Sequence, residues 1–408
     1  MLELPIANRR ALREWLASAS PSYEGRFLAR TPEEWALLLI LRDLLRVNWH
    51  AQFLSRKIRL QPPTQYDKQI IRESMAHRRR EAISRNQAWI ARHIHLAHNN
   101  LATSTEALLS PVEPTIEPCR TQEQHDLFRV LRYSWSSPYT EYVGRRIRLL
   151  IRDEAVPRRP VIGLAALGSS IVHIPERDEW VGWSTKSRTD NLVFTMDAYV
   201  VGSVPPYNHL LGGKLVAGLL TTNEVRAIYS EKYCGISTQI RRRTATDLAC
   251  LFTTGLFGKS SQYNRLSYNG HPTYLPIGST RGYGTLHLSE ELFAALRSVL
   301  AAGEVRVANR FGDGPIWRMR IVRCAGELLG FDSSFLLQHS FRRAIYAIPL
   351  ASNAREFLRG EAERLDYISI PAADLASHWR TRWLVNRRRQ PAIVSRVLSF
   401  HPEEFAVD

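Results

Sequence analysis

The 408 residues include 55 Lys and Arg against 39 Asp and Glu, a formal net charge of +16, with 44% hydrophobic and 23% charged residues. An arginine-dominated excess points to nucleic acid as the partner, DNA first, because guanidinium grips phosphate bidentately and stacks on bases. No apolar run approaches the ~20 residues of a membrane span, the opening residues lack the pattern of a secretion leader, and Cys119, Cys234, Cys250 and Cys324 form no C-x-x-C pair. A zinc site, a disulfide framework and a membrane partner are therefore not expected, and a cytoplasmic protein with reduced thiols is.

In chain order, Thr31, Pro32 and Glu34 mark a helix start, and the apolar positions Trp35, Leu38, Leu41, Leu45 and Trp49 continue it. After Pro62 and Pro63 a second helix is expected over about residues 67–101, with Ile71, Met75, Ile83, Ile90 and Ile94 on one stripe and arginines around the rest. Residues 1–109 thus read as a helical, basic N-terminal region. The proline-rich stretch 110–118 reads as a linker. Beyond it, 147–152, 161–167, part of 191–201 and 249–254 read as strands, and 210–220, 223–232, 289–300 and 316–329 as helices, with Ser289 as a cap. That order indicates an α/β (α+β) core over 119–350 built on a mixed sheet, followed by a basic helical tail over 351–408.

Three segments could carry chemistry. Residues 177–184 set Arg177 and Asp178 among Trp180 and Trp183, followed by Arg188, Asn191 and Leu192. Charge held beside apolar walls makes Asp178 the acid/base candidate, whereas the plainer reading is an ion pair with two packed tryptophans at a strand end. Gly212, Gly213 and Lys214 enter a helix, where free N–H groups favour an anion, such as a cofactor phosphate. The G-x-x-x-x-G-K-[ST] spacing is missing, and the two glycines could equally serve close helix–sheet packing. The third region, Arg241, Arg242 and Arg243 with Lys259, Tyr263 and Arg265 and then Arg281 flanked by glycine, combines phosphate contacts with a stacking ring. Arg387, Arg388 and Arg389, preceded by Trp379 and Trp383, extend the nucleic-acid candidates to the tail, although a basic helix also suits an acidic protein. Histidines 93, 95 and 98 do not share the helical face that a metal site needs. No nucleophile elbow appears, and no motif names a cofactor.

Arg177-Asp178, Gly182-Trp183, Arg188, Asn191-Leu192 and the small-residue helix after a proline-containing strand resemble the DruA family of Druantia anti-phage defence components. The resemblance extends through residues 247–254, Tyr263-Asn264 and residues 281–284, covering about 130–350. It implies a core similar to the GNAT-type acyltransferase fold, related to phage DNA-modifying Mom-like proteins, with Gly212, Gly213 and Lys214 at the pyrophosphate-binding turn. The spacing differs from the Q/R-x-x-G-x-G/A form of that turn. Three functions follow as expectations: a defence subunit that contacts nucleic acid, a GNAT-like transferase acting on a nucleobase or protein, and an assembly subunit docking on a helicase-like partner.

Overall fold

The computed structural model describes residues 2–5, 29, 31–54, 57–63, 68–138, 144–237, 244, 246–308, 315–339 and 341–407. The chain divides into two compact units, one of Met1–Ser84, Ser136–Pro138 and Arg281–Arg342, the other of Arg85–Trp135, Tyr139–Thr280 and Arg343–Asp408.

In the first unit, Thr31 caps the helix Pro32–Arg46 by accepting from the Glu34 N–H, and Glu33 and Glu34 complement the dipole of its first turn. The helix stops at Arg46, one turn before Trp49. The N-terminal region is not all helix: β1 (Leu2–Pro5), β2 (His50–Phe53) and β3 (Lys57–Gln61) form an antiparallel sheet in the order β1-β3-β2. These strands of four or five residues are too short to show a period of their own, and pairing with each other stabilises them. Ser289 caps the helix Glu290–Ala302 as expected. The buried Asp43 accepts from the Ser289 N–H at 2.6 Å and from Arg42 at 3.1 and 3.2 Å, while Arg42 reaches Glu291 at 2.6 Å. One ion-pair cluster thus joins the two capped helices.

The second unit is built on a mixed seven-stranded sheet in the order β11-β12-β8-β7-β6-β5-β4. Its strands are β4 (Pro114–Pro118), β5 (Arg146–Asp153), β6 (Val161–Ser169), β7 (Thr195–Ser203), β8 (Cys250–Thr254), β11 (Leu275–Ser279) and β12 (Ala344–Pro349), while β9 (Ser267–Tyr268) and β10 (His271–Pro272) form a separate hairpin. The proline-rich stretch read as a linker supplies β4, the edge strand, where a missing N–H costs least. β6 is buried over eight consecutive residues, as a strand covered on both faces must be.

Every neighbouring pair is antiparallel except β7 and β8, which run parallel over Thr195–Asp197 and Cys250–Phe252. A parallel pair requires a crossover, here the helices Gly212–Leu219 and Asn223–Tyr233. Gly163 on β6 lets the first of these lie close: a Cβ there would come within 2.5 Å of Val216 Cγ2 and the Gly202 carbonyl. The helix Ala372–Trp379 packs on the same face, with Trp379 and Leu384 buried, so the basic tail is part of the core. Helix Gln122–Tyr133 covers the other face through Phe128 and Leu131. Among the described residues, no helix is long and apolar enough to cross a membrane.

His287, in the first unit, is buried beside His339, with ring centroids 5.3 Å apart, and burial holds its imidazole down at about 3 against an ordinary 6.5. Because the folded value lies below the unfolded one, this contribution to stability is complete above about 6.5 and is lost as pH falls toward 3. We expect denaturant midpoints to fall between about pH 6.5 and 4, with His287→Leu flattening part of that decline.

Candidate functional site

Two regions of the second unit gather the residues singled out by sequence. The first surrounds helix Pro175–Val181, started by Pro175 and ended by Gly182 in the left-handed region at φ 81°. Arg177 is wholly buried, its guanidinium 5.3 Å from the Trp183 ring and 5.7 Å from Phe252. It donates to Asp178 Oδ1 at 2.7 and 3.0 Å and to the Ile171 and Val172 carbonyls at 2.6 and 3.2 Å. The adjacent Arg–Asp pair therefore clamps the chain between β6 and the helix. Trp183 and Asn191 both donate to the Leu358 carbonyl, at 2.6 and 2.9 Å, tying the end of helix Ala354–Arg359 to the same region.

The second oxygen of Asp178 accepts from Arg188 Nη1 at 2.9 Å and lies 3.0 Å from His173 Nδ1. Arg188 Nη1 is also 2.8 Å from that nitrogen. His173 is a residue that sequence reasoning missed. The ring has two arrangements: with Nδ1–H donated to Asp178, Nε2 is an acceptor, and with Nδ1 accepting from Arg188, Nε2 carries the proton. His173 is 63% exposed, so the imidazole rather than the enclosed Asp178 presents a proton-exchanging nitrogen to solvent. Asp178 would act by orienting it.

The second region lies where β7 and β8 diverge past their three paired residues. Thr253 Oγ1 donates to the Ala198 carbonyl at 2.7 Å and Gln262 Nε2 to the Val201 carbonyl at 2.9 Å, so side chains of β8 and the loop after it satisfy β7 where strand pairing stops. Gln262 also stands against Gly213, where a Cβ would come within 2.9 Å of its Oε1. Gly212 follows Leu211 at φ 60°, and a Cβ on it would meet the Tyr207 carbonyl at 2.8 Å. Lys214 Nζ donates to the Ser261 and Asn264 carbonyls at 2.6 and 2.9 Å. In this conformation Gly213 and Lys214 are thus engaged by the chain's own loop.

That loop is held from behind by Tyr263, buried and stacked on Tyr274 at 5.1 Å, with Tyr346 edge-on. Tyr263 is a packing ring in this structure, with no face open to a base. In front, Arg265 and Lys259 are exposed, and Arg265 takes the left-handed backbone conformation at φ 63°. The tail brings Arg382 and Trp383 to the same place. Lys214 Nζ lies 5.5 Å from the Trp383 ring centre, the Arg382 guanidinium 4.9 Å from it, and Arg382 donates to Ser267 Oγ at 3.2 Å. Burial, then Arg382 and Arg265, lower Lys214 to about 8. Three cations from distant parts of the sequence therefore share one face.

The remaining candidates are placed elsewhere. Arg388 is half-buried and donates to the Ala107 and Ser110 carbonyls, both at 2.6 Å, while Arg387 bonds Gln390 at 3.0 Å and Arg389 is exposed. Arg281 is exposed in the first unit. Arg241, Arg242 and Arg243 lie outside the described residues. Among the described residues no cluster of His, Cys, Asp and Glu could hold a metal ion.

The family model described as "Druantia protein DruA" matches residues 65–360. A curated protein of that name from Escherichia coli (strain UMEA 4076-1) is 35% identical over 327 residues, covering 78% of this chain and 80% of the relative. No solved structure matches the chain.

Replacing Asp178 with Asn leaves the buried Arg177 without its carboxylate. Removing one partner of a buried pair costs about 3–5 kcal/mol, and we expect Asp178→Asn to unfold at correspondingly lower denaturant, with the loss visible by circular dichroism.

Proposed function

The chain belongs to the DruA family, the proteins of Druantia anti-phage defence, and from that premise we propose that it holds nucleic acid, DNA first, against the face formed by Lys214, Arg265, Arg382 and Trp383. The observation that carries this reading is the meeting of Lys214 and Arg382 at the Trp383 indole, with Lys214 held by carbonyl oxygens and Arg265 near enough to act on its charge. Like charges brought together attract a polyanion, and the indole edge offers a surface to a base or sugar. Exposed Lys259 and Arg389 extend the positive field in the same unit. Arg241, Arg242 and Arg243, outside the described residues, and the exposed Arg281 belong to the nucleic-acid proposal from sequence alone.

DNA affinity of the purified protein is expected to fall steeply with salt. Arg265→Ala and Arg382→Ala should each weaken binding and reduce the salt slope by about one contact. Lys214 loses its charge as pH rises through about 8, so binding should weaken between about pH 7 and 9. A flat salt response, or variants that bind as the parent does, rejects this face.

A second reading, a transferase acting on a nucleobase or protein, is favoured by the His173–Asp178–Arg188 cluster. His173 would move the proton and Asp178 would orient it, with Gly212–Lys214 as the cofactor turn once Gln262 is displaced. Under this reading His173→Gln abolishes defence in a plaque assay of the complete system while DNA binding is retained. Defence at the parental level rejects it.

A further inference from the structure

Tyr263, the ring that sequence offered for stacking, is buried, but a second tyrosine, in the first unit, is not. Tyr283 is 50% exposed, and among the described residues no aromatic ring packs against it. It lies between Gly282 and Gly284, whose φ angles of 70° and 140° are ones that residues with a side chain rarely adopt. Its backbone pairs with Gln338 in an isolated antiparallel bridge, and the Gly284 N–H donates to the Leu337 carbonyl at 2.8 Å. Its hydroxyl accepts from Arg323 Nη2 at 2.9 Å. Main chain and hydroxyl are therefore both fixed, while half of the residue faces solvent.

Arg323 belongs to helix Pro315–Leu328, which buries Ile321, Val322 and Ala325. Arg320, three residues earlier and so on the same side one turn back, is exposed as Arg323 is. Arg318 is paired with Glu290 at 2.5 Å, whereas neither Arg320 nor Arg323 is in an ion pair with an acid of the described residues. Glu327, the one acid of this helix, follows Arg323 by a turn and bonds neither arginine. Asp332 is occupied as the cap of helix Ser333–Leu337, accepting from the Ser334 N–H at 2.9 Å. One exposed ring thus stands beside a cation that no carboxylate neutralises, with a second such cation a turn away.

We propose that Tyr283, with Arg323 and Arg320, is a stacking platform for an unpaired base of single-stranded nucleic acid, DNA first. Nucleic acid is the partner read for the second unit, and the platform rests on that reading while adding a contact in the first unit that needs a base. Every base has an aromatic face, so a fixed ring accepts any of them, and the guanidinium groups meet the phosphates of the same strand. In a duplex each base is already stacked and paired, so the ring favours single strands. A tyrosine held at its main chain and its hydroxyl loses little freedom when a base settles on it.

The test uses the full chain with an oligothymidylate of about 12 nucleotides and a strand of the same length and charge whose sugars lack bases. The parent should bind the oligothymidylate about tenfold more tightly than the abasic strand, as expected for one stacked base. Tyr283→Ala should remove that difference and leave duplex affinity unchanged, while Tyr283→Phe, which keeps the ring, should retain it. Arg320→Gln should reduce the salt slope by about one contact on both strands and leave the difference intact. Equal binding of the two strands by the parent, a measurement that needs no variant, overturns the platform. So does a difference that survives in Tyr283→Ala, since another ring then carries it. Oligouridylate bound as tightly as oligothymidylate, and weakened by Tyr283→Ala, supports the platform with RNA as a ligand beside DNA; weaker parental binding of oligouridylate supports it for DNA alone. Arg265→Ala should weaken duplex binding without changing the base-dependent difference, which separates failure of the platform from failure of the Lys214 face.

Discussion

A single parallel pair inside an otherwise antiparallel sheet constrains most of the second unit. β7 and β8 pair for three residues and then part, and the connection between them has to leave the sheet and return. That crossover places the helix Gly212–Leu219 against β6 and β7, at the approach that Gly163 permits. Where the strands part, backbone groups of β7 still need partners. Thr253 and Gln262 provide them, and Gln262 brings its loop against Gly213 and Lys214. The basic-aromatic face is thus a consequence of how the sheet is completed.

The polar interactions of this unit divide by what opposes each cation. Arg177 meets a carboxylate, two carbonyls and two rings, and such a buried group is stable only while all its partners remain. Arg388 meets carbonyls and ties the tail to residues 107 and 110. Lys214 and Arg382 meet carbonyls, a hydroxyl and an indole, which hold position without neutralising charge. Arginine in the tail therefore does two different jobs within a few residues, one in packing and one at the surface.

The Asp178 region shows how a structural pair can support a chemical group. Arg177 fixes one oxygen of the carboxylate, which leaves the other aimed at His173 and Arg188. Packing of Arg177 between Trp183 and Phe252 keeps that aim. Nδ1 of this exposed imidazole faces Asp178 and Arg188 in either tautomer, so the ring is oriented whichever nitrogen carries the proton.

Features decided by neighbours in sequence were legible from sequence: the caps at Thr31 and Ser289, the helix over residues 68–100, and the apolar strands β5 and β6. Each rests on a local hydrogen bond, on apolar residues at helical spacing or on a largely apolar run. The short strands β1–β3 and the edge strand β4 were not, since their stability comes from pairing with distant segments. Tyr263 read as a possible stacking ring and Trp379 as part of a basic-aromatic tail, because aromatic residues look alike whether they face a ligand or a core; burial separates the two. His173 passed unnoticed because its partner lies across a helix start. Sequence by itself determined the positive charge, the caps and the apolar strands, all of which depend on residue identity or on contacts a few positions apart. Tertiary structure alone decided which arginines reach solvent and that Lys214, Arg265 and Arg382 share one face, because side chains so far apart in sequence meet only through the folding of the sheet between them.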